Sequence, residues 1–366
     1  MAVEREYVGF EPFFAAGAYL AASANIGFGH IHHASALALS LIFCLLLSLY
    51  PDKFRNSLTA HRIMILATAF GAGAFCGMNG RLMLLADAGR EGMLTSMFHD
   101  LGAGLQTAIR SIPFESSSTN SIVMALLSGN REDIPEEIIH AFRASGASHI
   151  LALSGLHLGI IYAIVSKITS ILGGSRATKI VRCALNLSIC TVYALATGAS
   201  ASIIRALTFI ILNETGRLSH RPQKLGIILR KSLMINLIIM PESIMDIGFQ
   251  LSYAAIAGIA WIHPFLKKAW PDNKENSIMK KIWDTASMSI SCQITTAPLA
   301  YIYFGSFPVY FLLTNLLALP LTGFIIPASA LTVILCITGI CPDIPVYTTE
   351  KAIEGLVFVL STISTM

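Results

Sequence analysis

Charge is what this sequence has least of. Asp, Glu, Lys and Arg make up 13% of its 366 residues, about half the share of roughly 25% usual in soluble domains. That scarcity excludes an ordinary globular domain with a solvated surface. A membrane β-barrel is disfavoured too, because its strands alternate apolar and polar side chains over about ten residues. The N-terminal MAVEREYVGFE has no basic n-region, so a cleaved signal peptide is not expected. The seven cysteines form no CxxC pair and fall mostly inside apolar runs. They are expected to be small core residues in a protein without disulfides. The chain has no Walker A loop, no ATPase signature and no two-metal carboxylate cluster. Any transport would draw on an outside energy source. No cofactor and no metal are expected, and the expected class is a channel or transport protein, not an enzyme.

What is abundant is apolar sequence, 54% of the chain, in runs close to the 20 or so residues that cross a bilayer. Spans are expected near 12–30, 33–50, 63–80, 149–172, 183–199, 200–216, 228–241, 247–263, 285–304, within 309–340, and at 352–366. The fold class is therefore all-α: a polytopic transmembrane helical bundle of about 10–12 spans with broken or re-entrant helices. Lys and Arg gather in loops 51–62, 173–182, 214–231 and 264–284. These spans put all four loops on one side, which the positive-inside rule makes cytoplasmic. The expected location is the bacterial inner membrane, with many passes.

The opposite side holds segment 81–147, with five basic and eight acidic residues. Within it Leu94, Met97, Phe98, Leu101, Leu105, Ala108 and Ile112 recur at helical spacing, as in an amphipathic helix lying on the membrane or on the bundle. A second helix is expected over 134–145, with Asp133 as N-cap and Gly146 just past its end. The chain thus divides into N-terminal transmembrane helices (1–80), an external amphipathic segment (81–147) and a transmembrane core (148–366). The uncharged tract 309–340 is too long for one crossing, at about 1.5 Å per residue against a hydrocarbon core of about 30 Å. Pro320 and Pro327 interrupt it, so two crossings or a broken, re-entrant helix is expected. A second break is expected at TGASAS (197–202); in transporters such breaks mark binding sites.

Several polar groups sit inside apolar runs. Arg205 follows TGASAS by one turn; it either snorkels or pairs structurally, or it presents a fixed positive charge to an anion, a role its planar fork suits. His149, Ser154 and His157 share the span that begins at 149. Ser154 and His157, three apart, read as a packing pair on one helix face or as nucleophile and base. Gly155 and Gly159, four apart, permit close helix approach. Gln250, Gln293 and Asn315 read as helix–helix hydrogen bonds or lining groups. Gly29-His30-Ile31-His32-His33 reads as a solvated turn in preference to a metal site. Tyr301, Tyr303, Phe304, Phe307, Tyr310 and Phe311 form an interfacial belt, or a stacking platform for bases.

The order FRASGASHILALSGLHLG (142–159), ATGASASIIRAL (196–207), GFQLSYAAIAGI (248–259), Gln293 with APL (297–299) and TNLLALPL (314–321) resembles the membrane domain of the ComEC competence proteins. The resemblance covers roughly residues 120–335. It implies an inner-membrane channel that brings single-stranded DNA into the cytoplasm during natural transformation. It puts weight on Gly146, His149, Ser154, Gly155, His157, Gly159, Arg205, Gln250, Ser252 and Asn315. With Arg143, the candidates for the DNA path are His149, Ser154, His157, Arg205, Gln250 and Asn315; Gly146, Gly155 and Gly159 are the packing glycines. The family often has proline where this chain has Ala199 or Ala201. Relatives often carry an external OB-like domain, for which 81–147 is short, and a metallo-β-lactamase-like domain, whose HxHxDH run is not found here. Expected partners are single-stranded DNA, the lipid bilayer, a cytoplasmic motor, a separate nuclease and further copies of the chain. Two other classes remain open: a transporter of another anionic solute, and an intramembrane hydrolase built on Ser154 and His157.

Overall fold

A computed structural model describes residues 11–23, 66–76, 93–219, 223–270, 278–305, 310–339 and 343–365. Among these the protein is all helix, with no strand. The chain forms two compact units. The first comprises Met1–Arg90 and Leu225–Tyr253; the second comprises Glu91–Lys224 and Ala254–Met366.

In the first unit, α1 (Glu11–Ser23) crosses α2 (Leu66–Cys76) at a glycine contact. A Cβ on Gly17 would lie 2.1 Å from the Phe70 carbonyl oxygen, and one on Gly73 would lie 1.9 Å from that of Phe14. Small residues let helix backbones meet in this way where lipid gives no hydrophobic drive to association. The unit also holds α10 (Leu225–Ile239), a 3-10 turn (Pro241–Met245) and the start of α11 (Ile247–Trp261). Asp246 closes the start of α11 by accepting from the Gly248 and Phe249 N–H groups, each at 3.1 Å. Gln250 Nε2 donates to the Ile244 carbonyl at 2.9 Å, tying α11 to the turn before it.

The second unit runs α3 (Met93–Arg110), α4 (Ser117–Ser128), α5 (Glu136–Ala144), α6 (Ser148–Leu151), α7 (Gly155–Thr169), α8 (Arg176–Ala196) and α9 (Ala201–Leu218). After the end of α11 it continues with α12 (His263–Lys268), α13 (Ile278–Phe304), α14 (Phe311–Ile337) and α15 (Asp343–Ser364). Ile122 and Leu126 of α4, Phe142 of α5, Ile325 of α14 and Ile353 and Leu356 of α15 form one buried core. A smaller core joins α7, α8 and α9 through Leu158, Cys190, Ala194, Ile203 and Ile210.

Four helical stretches are long and apolar enough to cross a membrane among the described residues: Gly155–Leu172, Arg176–Ala196, Ile247–Lys268 and Phe311–Ile337. Large apolar side chains such as Phe265, Ile344 and Phe358 stand exposed on the second unit, a surface that hydrocarbon would cover.

The structure revises four expectations. The tract 309–340 holds a single helix, α14, with Pro320 and Pro327 inside it. Its 27 residues reach about 40 Å at 1.5 Å per residue. Neighbouring helices and hydroxyl side chains let membrane helices tolerate proline. Asp133 is not an N-cap: Pro135 takes that place, and the Asp133 carboxylate pairs with Arg110 at 3.4 Å. The basic segment 173–182 is mostly helix, since α8 already starts at Arg176. Finally, Cys336 is disulfide-bonded. It lies in the last turn of α14, half-buried against the core. Cys76, Cys183, Cys190 and Cys292 are free thiols. The expected helix on segment 81–147 is α3; it buries Ile109 in the core and leaves Met97 and Leu101 exposed.

Gly258 gives the sharpest packing test. A Cβ there would sit 2.2 Å from the Ser291 carbonyl oxygen of α13. Gly258→Leu is expected to destabilise the protein by about 3 kcal/mol, seen as a lower thermal midpoint of the detergent-purified protein.

Candidate functional site

Helix ends dominate the segment 142–159. The end of α5 is a Schellman motif: the Gly146 N–H donates to the Arg143 carbonyl at 3.1 Å, and the Ala147 N–H to that of Phe142 at 2.7 Å. This closure needs a left-handed residue, and Gly146 has φ +82°. Gly146 thus stands just past the end of α5, where the helix expected over 134–145 puts it. Thr314 Oγ1 of α14 donates to the Ser145 carbonyl at 2.7 Å, fastening the first turn of α14 to this corner. Arg143 and His149 are exposed. His149 Nδ1 lies 3.2 Å from the Gly146 carbonyl, an acceptor only, so that nitrogen carries the proton. The His149 ring lies 5.9 Å from the Phe311 ring.

The span expected to start at His149 is broken. After four residues of α6, Ala152 and Ser154 are extended, and α7 begins at Gly155. Ser154 and His157 therefore do not share a helix face; they are the N-cap and third residue of α7. The Leu156 N–H donates to Ser154 Oγ at 3.3 Å, and the Ser154 N–H donates to His157 Nδ1 at 3.2 Å. This is a capping box with histidine in the place of glutamate. Ser154 Oγ also lies 3.1 Å from Nδ1, a nucleophile–base distance, but among the described residues no group orients the ring through Nε2. Because Nδ1 accepts, the proton sits on Nε2. His157 is 0% exposed and that N–H has no partner among the described residues. Asn315 Oδ1, also buried, is an acceptor without a partner among the described residues.

TGASAS repeats the device. The Gly198 N–H donates to the Leu195 carbonyl at 3.1 Å, and the Ala199 N–H to that of Ala194 at 2.8 Å. Gly198 has φ +78° and Ala199 φ +45°, an unfavourable region for a residue with a Cβ. Proline, with φ fixed near −65°, cannot occupy position 199, whereas Ala201, the first residue of α9, suits it.

Arg205, on α9, is 3% exposed. Ile203, Ala206, Leu207 and Ile210 turn toward α7 and α8, and Arg205 lies about 200° around the helix from Ile203. Arg205 and the capping box are therefore on different sides of α9, not along one wall. Gly155 meets the Ala206 side chain, with a Cβ placed there only 3.2 Å from that of Ala206. Gly159 has open space at the same test, so only the first of the two glycines makes a close helix contact. Gln250 belongs to the first unit and bonds locally. The histidines of Gly29–His33, Phe307 and the loop at 51–62 lie outside the described residues. Tyr301, Tyr303, Phe304 and Tyr310 are exposed.

One cluster escaped the sequence reading. Tyr162 of α7 donates a short hydrogen bond to the buried carboxylate of Glu214 on α9, and Arg217 Nη1 donates to Glu214 Oε1 at 3.3 Å and to Tyr162 Oη at 3.1 Å. Glu214 falls where the expected span 200–216 meets the expected loop 214–231. The available signal was spacing: Ile203, Ile210 and Glu214 continue one helical face. Glu350 is likewise buried, accepting from the Ser116 N–H at 2.8 Å ahead of α4.

The family model described as Competence protein matches residues 126–366. ComE operon protein 3 of Bacillus subtilis (strain 168) is 26% identical over 218 residues, covering 59% of this chain and 26% of that protein. Uncharacterized protein YcaI of Escherichia coli (strain K12) is 23% identical over 228 residues, covering 61% of this chain and 29% of that protein. The match thus spans under a third of either relative. No solved structure matches the chain.

Two substitutions test the site's construction. Tyr162→Phe is expected to cost about 2 kcal/mol, the usual worth of a hydrogen bond to a charged group. Ala199→Gly is expected to stabilise by up to about 1 kcal/mol by releasing the left-handed Cβ. Thermal unfolding in detergent reads both.

Proposed function

The chain belongs to the competence protein family, and from that premise we propose that it is an inner-membrane channel component passing single-stranded DNA into the cytoplasm. The observation that carries the reading is Arg205. A guanidinium buried in a helix of a membrane bundle is costly to keep there, and such charges are retained at substrate and ion paths. Its planar fork fits the oxygens of a phosphodiester. It follows directly on the TGASAS break, where α8 ends and α9 starts.

His157 supplies a second element. Its Nε2–H is a buried donor suited to a phosphate oxygen, held in one tautomer by the capping box. Since Arg205 and His157 lie on different sides of α9, they would serve successive or separate phosphates rather than one. The basic segments place the C-terminal ends of α7 and α9 toward the cytoplasm by the positive-inside rule. Arg143 and His149 would then stand at the outer face. The pull on the strand would come from a motor on the inner side, and degradation of the second strand from a separate nuclease.

The test is DNA uptake in a competent host. Arg205→Ala is expected to lower transformation by at least about tenfold, with Arg205→Lys intermediate because a point charge replaces the fork. His157→Ala should act in the same direction. If both alanine variants insert normally and leave uptake intact, the reading fails. Single-stranded DNA bound to the purified protein should weaken steeply as salt rises, with a slope of about −0.7 per phosphate contact. A small anion that binds where DNA does not would favour a solute transporter instead.

A further inference from the structure

The turn between α7 and α8 combines exposed apolar side chains with cations that have no counter-charge. Ile168, Ile171, Leu172, Ile180 and Val181 are all exposed, Ile171 at 85%. Between and beside them stand Lys167, Arg176 and Lys179, all exposed, and Arg182, half-buried. Arg182 Nη1 reaches back to the Gly173 carbonyl at 3.5 Å, which holds its guanidinium over the turn. None of these four cations makes an ion pair among the described residues. Glu214 is the one acid between Ser148 and Lys224, and it is already engaged by Tyr162 and Arg217. Arg176 and Lys179 moreover lie in the first turn or so of α8, where the helix dipole is positive and further positive charge is unfavourable.

A charge arrangement of this kind is unfavourable alone and is relieved by an external anion. The apolar side chains say where that anion resides. Five exposed aliphatic groups within one turn of the cations belong in acyl chains, and the cations then reach the level of the headgroups. A topological signal requires only that the charges be on the cytoplasmic side. It does not require that they alternate with exposed isoleucine, leucine and valine.

We propose that the α7–α8 turn, through Lys167, Arg176, Lys179 and Arg182, is a binding site for the phosphate headgroups of anionic phospholipid. The proposal rests on α7 and α8 crossing a membrane but not on the passage of DNA. It makes the protein selective for anionic over zwitterionic lipid at this one corner.

The experiment uses the full chain in nanodiscs of mixed phosphatidylglycerol and phosphatidylcholine, with native mass spectrometry of the lipids retained after gentle extraction. The wild type is expected to retain phosphatidylglycerol in preference, and less so as salt rises. Lys179→Gln with Arg182→Gln should lower that preference roughly thirtyfold, from about 1 kcal/mol per charge near an anionic surface and tenfold per 1.4 kcal/mol. Lys167→Gln with Arg176→Gln is a second pair that spares the Arg182–Gly173 contact. Lys351→Gln, remote in sequence and paired with Glu354, should leave the preference unchanged. Equal retention of both lipids by the wild type, or undiminished preference in both paired variants, overturns the site. Single-stranded oligonucleotide binding in purely zwitterionic discs that is lost in both paired variants would reassign these cations to nucleic acid and overturn it as well. Failure of the protein to enter any disc would remove the membrane reading itself, and the site with it.

Discussion

Every backbone N–H and C=O that leaves a helix inside an apolar bundle must find a partner, because hydrocarbon supplies none. The second unit is organised around that requirement. Two Schellman motifs close α5 and α8, a serine–histidine box opens α7, the Glu350 carboxylate receives the amides ahead of α4, and the Thr314 hydroxyl takes the carbonyl of Ser145. Each of these closures brings a polar side chain or a left-handed residue into the interior. The polar groups that stand out in the sequence are thus largely there because helices stop and restart within the bundle. After those obligations are met, the Nε2–H of His157 and the Oδ1 of Asn315 remain as buried polar atoms without a partner among the described residues.

The distinction bears on how a charged residue in a membrane protein is read. Glu214 and Arg205 are both buried on α9. Glu214 is answered on its own unit by Tyr162 and Arg217, so its burial stabilises the contact of α7 with α9. Arg205 turns away from that contact. It lies on another side of α9 from the ionic cluster a little over two turns along.

Much of the fold was legible in the sequence, because hydrocarbon writes its thickness directly into apolar runs. The helices at 201–218 and 247–261 lie close to where hydropathy puts them, those at 176–196 and 278–304 start seven residues before the expected spans, and the family resemblance over the core agrees with the matched family model. The break at TGASAS was legible from its small residues. The finer geometry was not. Hydropathy averages over about twenty residues, so the short interruption at Ala152–Ser154 vanishes inside a long apolar run, and by spacing alone Ser154 and His157 share one helix face. Proline misled at 320 and 327, where surrounding helices hold α14 intact. Glu214 falls where the expected span 200–216 and the expected loop 214–231 overlap, so hydropathy alone does not mark it as buried. The side of α9 on which Arg205 lies follows from packing partners, which no single sequence discloses.

The bond from Thr314 to Ser145 joins residues 169 apart in the chain, and Glu350 meets Ser116 across 234. Contacts so distant in sequence form late, after a large loop has been closed. During synthesis α5, α6 and α7 emerge well before α14 and α15 exist. The Ser145 carbonyl therefore lacks its Thr314 partner until α14 is made. The two helices that close these contacts, α14 and α15, are therefore made long after the segments they complete.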